Sequence, residues 1–469
     1  MERIIQQIIT ELVEKIIKKT IDGGMQDIDR LTSDVLADCK ALSKKIIEIL
    51  VATMNQTLRE DKPYRKEKGL VIKEKDRKRE LLTELGTLNI PRDYYYDKRN
   101  NSYVYPMDEM IGIRAYERVG DTISAKAVSL ATEMSYAKSA AIVTEGKISR
   151  QTVRNKIIEI GAIEKGSESK EKKQVKTLHI YADEDHVHMQ RPNKGKGKQN
   201  QIVPLVTVTE GIEKVGTYRN QTIAPVHFVD ETFDTKRLWQ SVDGYISKTY
   251  DTDYLEKIYI HGDGGKWISN GLEQYRQTEH IMDGFHFEKY MKKITNAFPK
   301  QNVRWRIEKA IAEKDKEKIK TITEELKNQT NEKSEKEKVK KYETYLMNNW
   351  EAIINLKTKK ISGSCTEGQV SHVLSERFSR DPLGWSKTGL GILTTQRVYI
   401  KNGGKITADH LKTKAQTITY KEYADKIIQE SIADAIDWSI FEKANPIFDK
   451  NSGTQFIINQ LGSMQNYYM

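Results

Sequence analysis

LHIYADEDHVHMQ, residues 178–190, is a short β-branched and aromatic run that ends on an acidic residue, Asp183. KIYIHGDGGKW at 257–267 repeats the pattern and ends on Asp263. Farther on, SCTEGQVSHVLSERFSRDPLGW at 364–385 opens as a helix, with Glu367 in its first turn and Arg377 and Arg380 downstream. Carboxylates that end buried strands, joined by a third from a nearby helix, form an oxygen-only ligand set suited to two Mg²⁺ (or Mn²⁺) ions. Open α/β sheets commonly place their sites at the carboxyl ends of strands.

Working outward, residues 162–176 are polar and make the best linker, and the patterning beyond them changes to strands. Strands are expected at 177–183, 186–191, 201–209 and 214–229, with PNKGKGKQN (192–200) as a hairpin loop. A helix at 235–250, the strand ending at Asp263, a helix over Trp267 to Tyr275, the strand EHIMD ending on Asp283, and a helix from His286 to about Phe298 complete an α/β layer with a mixed sheet. The charged segment 309–356 keeps Ile311, Ile319, Ile322, Leu326, Tyr342, Tyr345, Leu346 and Trp350, enough for a helical insertion.

Upstream, Ile4, Ile8, Leu12 and Ile16 recur every four residues beside Ile5, Ile9, Val13 and Ile17. That wide apolar stripe packs on the next helix or forms a dimer seam. Residues 61–80 read as solvated charge, and 81–113 as a hairpin about Asp97–Asn101. Tyr94, Tyr95, Tyr96, Tyr103 and Tyr105 give this hairpin an aromatic face; a packed face is the default, stacking on DNA the alternative. MSYAKSAAIVTEGKISRQTVRNKIIEIG (134–161) has helix-turn-helix form, with Gly146 in the turn and Ser149 as N-cap. Arg150, Gln151, Arg154 and Lys156 then lie outward, where Arg and Gln can read base edges, with Val153, Ile157 and Ile158 inward. A further helix is expected from Thr419 to Phe441.

The 469 residues carry a net charge of +11, which fits a polyanionic partner. Two cysteines, Cys39 and Cys365, argue against a disulfide scaffold. No run of about 18 apolar residues and no leader pattern is present, so a cytoplasmic, nucleoid-associated location with no membrane is expected.

HIYADEDHVHMQ, YIHGDGG, MDGFHFEKYM and CTEGQVSHVLSERFSRDPLGWS, in this order, resemble the motif blocks of bacterial insertion-sequence transposases with a DDE triad. The resemblance is to the IS-Lre type, Mutator-related and long catalogued as an uncharacterised protein family, and runs from near residue 86 to 404. It implies an α/β, ribonuclease-H-like catalytic domain (177–298 and 361–404) interrupted by an all-helical insertion (299–360). An N-terminal helical region (1–80), a DNA-binding region (81–161) and a C-terminal helical tail (405–469) flank it. Asp183, Asp263 and Glu367 would be the acids, and Asp283 with His286 matches an auxiliary (Cys/Asp)-x-x-His signature. Asp185 stays open as an alternative to Asp183. Glu376 stands nine residues beyond Glu367, roughly 13 Å along a helix, so only one of the two serves; the Glu-Gly opening favours Glu367.

Zinc is the rival, through His186, His188, His261, His286, His372 and Cys365, although no HExxH or paired CxxC spacing occurs. Arg377 and Arg380 are expected on the phosphate backbone. The resemblance implies double-stranded DNA (terminal inverted repeats and target) as partner, a homodimer or higher assembly, and no small-molecule substrate. The competing readings are a DNA binder without catalysis and a Mg²⁺-dependent nuclease that does not join ends.

Overall fold

The computed structural model describes residues 2–23, 27–164, 171–190, 200–217, 220–269, 271–272, 275–359, 365–381, 383–411 and 420–428. Side chains at 2–9 lie outside that description, so the stripe can be followed only from Leu12 onward. The chain divides into two compact units, residues 1–120 with 413–469, and residues 121–412. This division parts the region expected over 81–161: its sheet falls in the first unit and its helix pair in the second.

In the first unit, α1 (Glu2–Gly23) packs along α2 (Ile28–Glu60). Lys15 and Lys19 both reach Asp38 at 2.6 Å. Leu12 and Ile16 are half-buried while Val13 and Ile17 stay exposed. Asp61 caps α3 (Lys62–Lys68) by accepting from Tyr64 N at 2.9 Å. Residues 70–83 form a long strand, β1 (Leu70–Thr83), rather than solvated charge. β1 pairs antiparallel with β2 (Gly86–Asp97), which pairs with β3 (Ser102–Val104). The period of two was hidden because β1 is exposed from Lys73 to Lys78 and its register shifts there. The short α4 (Pro106–Met110) follows, and one face of the sheet buries Leu88, Ile90 and Tyr95 against Met54 and Leu58 of α2. The helix Lys421–Ile428 adds Tyr423 to that core, stacked on Tyr64 with ring centroids 3.7 Å apart; the rest of the helix expected to Phe441 lies outside the described residues.

The second unit opens with α5 (Asp121–Ala131), α6 (Tyr136–Thr144) and α7 (Arg150–Ile160). The turn forms as the sequence requires: Glu145 and Gly146 take positive φ, and Ser149 Oγ accepts from Thr152 N at 3.1 Å. Of the expected linker, 165–170 lie outside the described residues. Lys173 already belongs to the body, donating its N–H to Thr249 O at 2.8 Å.

A five-stranded mixed sheet follows. β4 (Thr177–His188) pairs antiparallel with β5 (Asn200–Thr209). β6 (Gly211–Lys214) and β7 (Asn220–Ile223) make a separate ribbon, and β8 (Val226–Phe228) pairs antiparallel with β5. After α8 (Thr235–Thr249), β9 (Lys257–Gly262) lies parallel to β4. After α9 (Lys266–Ser269), β10 (Thr278–Met282) lies parallel to β9. The spatial order is β10-β9-β4-β5-β8. Three expectations are corrected here. Residues 177–188 are one strand, not two; 214–229 contains two short strands, with Lys214 ending an earlier one; and the 267–275 helix shrinks to one turn. Leu178, Ile180 and Ala182 face α8, packing with Leu238, Val242 and Ile246.

Then α10 (Gly284–Ala297) leads into four helices, α11 (Val303–Ala312), α12 (Lys316–Asn328), α13 (Lys333–Asn348) and α14 (Trp350–Thr358). Their few apolar residues gather into one core with Met282, Phe287 and Met291. Asn355 of α14 donates to His280 O at 3.0 Å, covering the sheet edge at β10. The late helix runs as α15 (Thr366–Val370), a π-helical turn Ser371–Ser375 and α16 (Glu376–Phe378), and α17 (Lys387–Lys401) closes the unit.

Candidate functional site

Strand register assembles the site. β4 and β9 pair Thr177 with Lys257 through Tyr181 with His261, and β9 and β10 pair Ile258 with Thr278 through Gly262 with Met282. Asp183 lies two residues beyond the last β4–β9 pair, and Asp263 and Asp283 directly follow β9 and β10, with Asp283 N donating to Gly262 O at 2.8 Å. Neighbouring strands run about 4.8 Å apart. Asp263 and Asp283 follow strands that stop, whereas β4 runs on because β5 keeps pairing with it to His188.

Each acid is held by its own chain. Asp183 is buried and accepts from Glu184 N at 2.8 Å. Asp263 forms a tight turn, accepting from Gly265 N at 2.9 Å. Gly264 takes φ +86, and a Cβ there would fall 1.9 Å from Asn349 Oδ1. Its neighbour Gly262 is hemmed by Ile268 and Ala182 O. Contact thus fixes both glycines flanking Asp263, and conformation fixes Gly264 as well. Asp283 is almost wholly buried, caps α10, and holds His286 Nδ1 at 2.9 Å. An Asp-x-x-His spacing at a helix start lets one carboxylate take both the backbone and ring nitrogen of His286.

Burial pushes the Asp183 carboxyl up to about 6, with the negative charges of Asp263 and Glu367 adding to the rise, while Glu184 N–H and the charge of His286 oppose it. His286 is raised, first by its bond to Asp283, then by Asp183 and Asp263. Asp183 therefore lies within electrostatic reach of Asp263, Glu367 and His286. Among the described residues, no three His, Cys, Asp or Glu side chains are gathered closely enough to hold a metal ion as they stand. Carboxylate oxygens with excess negative charge are the donor type that hard cations take.

Asp185, on the same strand face as Asp183, accepts from Ser379 Oγ at 3.0 Å through one carboxylate oxygen, while its other oxygen is buried with no hydrogen-bond partner among the described residues, so it stays a candidate beside Asp183. Glu376 is paired with His372 at 2.9 Å, whereas Glu367 bears on Asp183. The histidines proposed for zinc are dispersed: His186 and His372 are exposed, while His261 is buried, stacked on Tyr181 at 4.6 Å and pushed down to about 3 by that burial.

Arg377 is not on the surface where a DNA contact was expected, and Lys156 is less open than expected. Arg377 is buried, donates to Ala131 O at 2.9 Å and lies over Trp385 at 4.7 Å. Its long aliphatic stem and planar head fit that aromatic setting, so it packs the helix against α5. Lys156 is half-buried and pairs with Glu159 at 2.9 Å. Arg150, Gln151 and Arg154 are exposed on α7, and Arg380 is exposed on the loop after α16.

Arg397 was missed from sequence. It is 1% exposed and donates to Val373 O, His372 O and Thr132 O at 2.5, 2.8 and 2.7 Å. A π-turn shifts backbone bonds from their usual partners, and Arg397 joins the carbonyls of that turn to the end of α5. No local pattern marks such a residue; an Arg within the apolar run GLGILTTQRVYI was the available sign.

The family model for the uncharacterised protein family UPF0236 matches residues 20–415. The chain belongs to UPF0236. A UPF0236 protein of Caldanaerobacter subterraneus subsp. tengcongensis, whose name joins eleven gene designations, is 36% identical over 95% of this chain and 92% of its own length. A UPF0236 protein of Streptococcus gallolyticus, named for its place in a vanSb 3′ region, is 25% identical over 69% of this chain and 75% of its own. Among solved structures, the Drosophila P element transposase strand transfer complex is matched at 12% identity over 70% of this chain and 96% of that one, with TM-score 0.21. At that score the likeness carries no argument. The UPF0236 match covers every strand of the mixed sheet and all the acidic residues described above. No described helix is long and apolar enough to cross a membrane.

Proposed function

We propose that this UPF0236 protein is a DDE transposase that binds the terminal inverted repeats of an insertion sequence and cuts and joins DNA strands. The observation that carries the reading is Asp183 in β4 beside the parallel strand β9, which Asp263 directly follows, with the charges of Asp263 and Glu367 bearing on Asp183. The order β10-β9-β4-β5-β8, three antiparallel strands continued by two parallel ones, supports a ribonuclease-H-like core carrying a helical insertion. The eleven gene designations of one relative within a single strain are the multiplicity a self-copying element leaves.

Asp183, Asp263 and Glu367 would hold two Mg²⁺ (or Mn²⁺) ions. Bound there, the pair stabilises the attacking and leaving oxygens of an in-line phosphoryl displacement. Asp283 fixes the ring of His286, which positions the DNA strand beside the carboxylates. Arg150, Gln151 and Arg154 read the repeat, and Arg380 holds backbone phosphate. The exposed Val13, Ile17 and Leu36 on α1 and α2 support a homodimer seam.

Labelled DNA ends from the element's own borders, incubated with protein, Mg²⁺ and a target plasmid, separate the readings. Joined product is expected. Cut ends without joining would instead mark a nuclease, and retarded but uncut DNA a binder.

A further inference from the structure

We propose that the outer face of the β1–β2–β3 sheet is a stacking platform for single-stranded DNA. The inference is independent of the metal chemistry above, since it needs neither cation nor cleavage.

β2 changes parity at Pro91. Before it Leu88 and Ile90 are buried; after it Asp93, Tyr95 and Asp97 are buried, so Tyr94 and Tyr96 turn to the opposite side. There they meet Tyr103 and Tyr105. Tyr94 and Tyr103 stack with centroids 5.2 Å apart and planes 15° from parallel. Tyr105 lies 4.7 Å from Tyr94, and Tyr96 lies 5.2 Å from Tyr103. Four rings in continuous contact on the side away from the core are more than a packed hairpin needs, and Tyr103 remains 57% exposed.

The cations on this face are placed over the rings. Lys73 Nζ is 5.4 Å from the Tyr96 centroid, Arg77 Cζ is 5.4 Å from Tyr94, and Arg92 Cζ is 3.7 Å from Tyr105. Lys75 and Lys78 extend the exposed positive charge along β1. The acids are Glu74, paired with Arg77 at 3.7 Å, Asp76, held by Arg59, Glu80, exposed two residues beyond Lys78, and Asp108, buried between Arg79 and Arg92. Cations beside a row of aromatic faces match a strand whose phosphates and bases alternate, the arrangement by which proteins bind single strands without reading sequence. A duplex keeps its base faces stacked inside and offers a tyrosine face none of them.

The test uses the full chain and a labelled oligothymidylate of about 16 nucleotides, followed by fluorescence anisotropy. Tyr94→Ala with Tyr103→Ala is expected to weaken binding by about five- to a hundredfold, with little change toward a blunt duplex of equal length. Tyr103→Phe keeps the ring and is expected to bind as wild type. Should the double variant fail to give a native circular-dichroism spectrum, Tyr103→Ala alone, at an exposed position, serves. Unchanged oligothymidylate affinity in a folded alanine variant would overturn the proposal. So would an oligouridylate that binds more tightly than the DNA. Failure of the wild type to bind, with Tyr103 resistant to nitration, would show that the chain covers this face itself and would also overturn it.

Discussion

Ser379 donates a 3.0 Å hydrogen bond to Asp185, joining the loop after the late helix to the central strand. Asp183, two residues earlier on the same face, is left to Asp263, Glu367 and His286. The bond thus ties the helix carrying Glu367 to the strand carrying Asp183 and leaves the other oxygen of Asp185 buried with no partner among the described residues. Asp183→Asn is expected to reduce DNA cleavage to background. Asp185→Asn, acting through position, is expected to lower it by about 10- to 100-fold. Single-turnover cleavage rates check both; equal losses would place Asp185 among the acids.

The pH dependence of stability follows from the same cluster. The Asp183 carboxyl rises from 3.8 to about 6 in the fold, so the folded state binds its proton more tightly than the unfolded state does. Stability is therefore greatest below about pH 4 for this group and is lost as pH rises toward 6, by on the order of 3 kcal/mol. His286 is raised above 6.5; its contribution is present below that value and lost as pH rises through the folded pKa. Urea titrations from pH 4 to 8 should show the first decline vanish in Asp183→Asn and the second in His286→Gln.

Gly264 is where the helical insertion meets the acid-bearing turn. Gly264→Ala brings a methyl onto Asn349 at φ +86, and is expected to cost about 1–3 kcal/mol. The double variant with Asn349→Ala removes the clash but not the backbone strain, so it should recover only part of the loss. Thermal melts of the two variants measure the difference.

Buried and exposed arginines should part company. Arg397→Met removes donors to three carbonyls, and Arg377→Ala loses its bond to Ala131 O and its aromatic setting. Each is expected to cost about 2–4 kcal/mol. Arg380→Ala is expected to stay within about 0.5 kcal/mol of wild type while weakening DNA binding. Denaturation midpoints beside gel-shift affinities distinguish the two effects.

Much of this was legible in the sequence. The apolar runs leading into Asp183, Asp263 and Asp283 stood out because buried parallel strands are continuous apolar runs, although β4 continues past Asp183 to His188, and the α6–α7 turn announced itself through Gly146 and Ser149. The insertion was found because eight apolar residues in a charged stretch suffice for one helical face, and seven of them now lie buried together, with Tyr345 partly buried against them. What failed had physical reasons. β1 is exposed over six consecutive residues, so its alternation vanished. Arg377 looked like a DNA contact because sequence gives charge but not burial. Arg397 acts across 265 residues on Thr132, a distance that no local pattern spans.

Calorimetric titration of Mn²⁺ into the wild type and into Asp183→Asn, Asp263→Asn and Glu367→Gln tests most directly whether these acids form one cation site. Binding by the wild type is expected, weakened by at least about tenfold in each variant whose circular-dichroism spectrum stays native. Equal Mn²⁺ affinity in all four proteins, or none in the wild type, would contradict it.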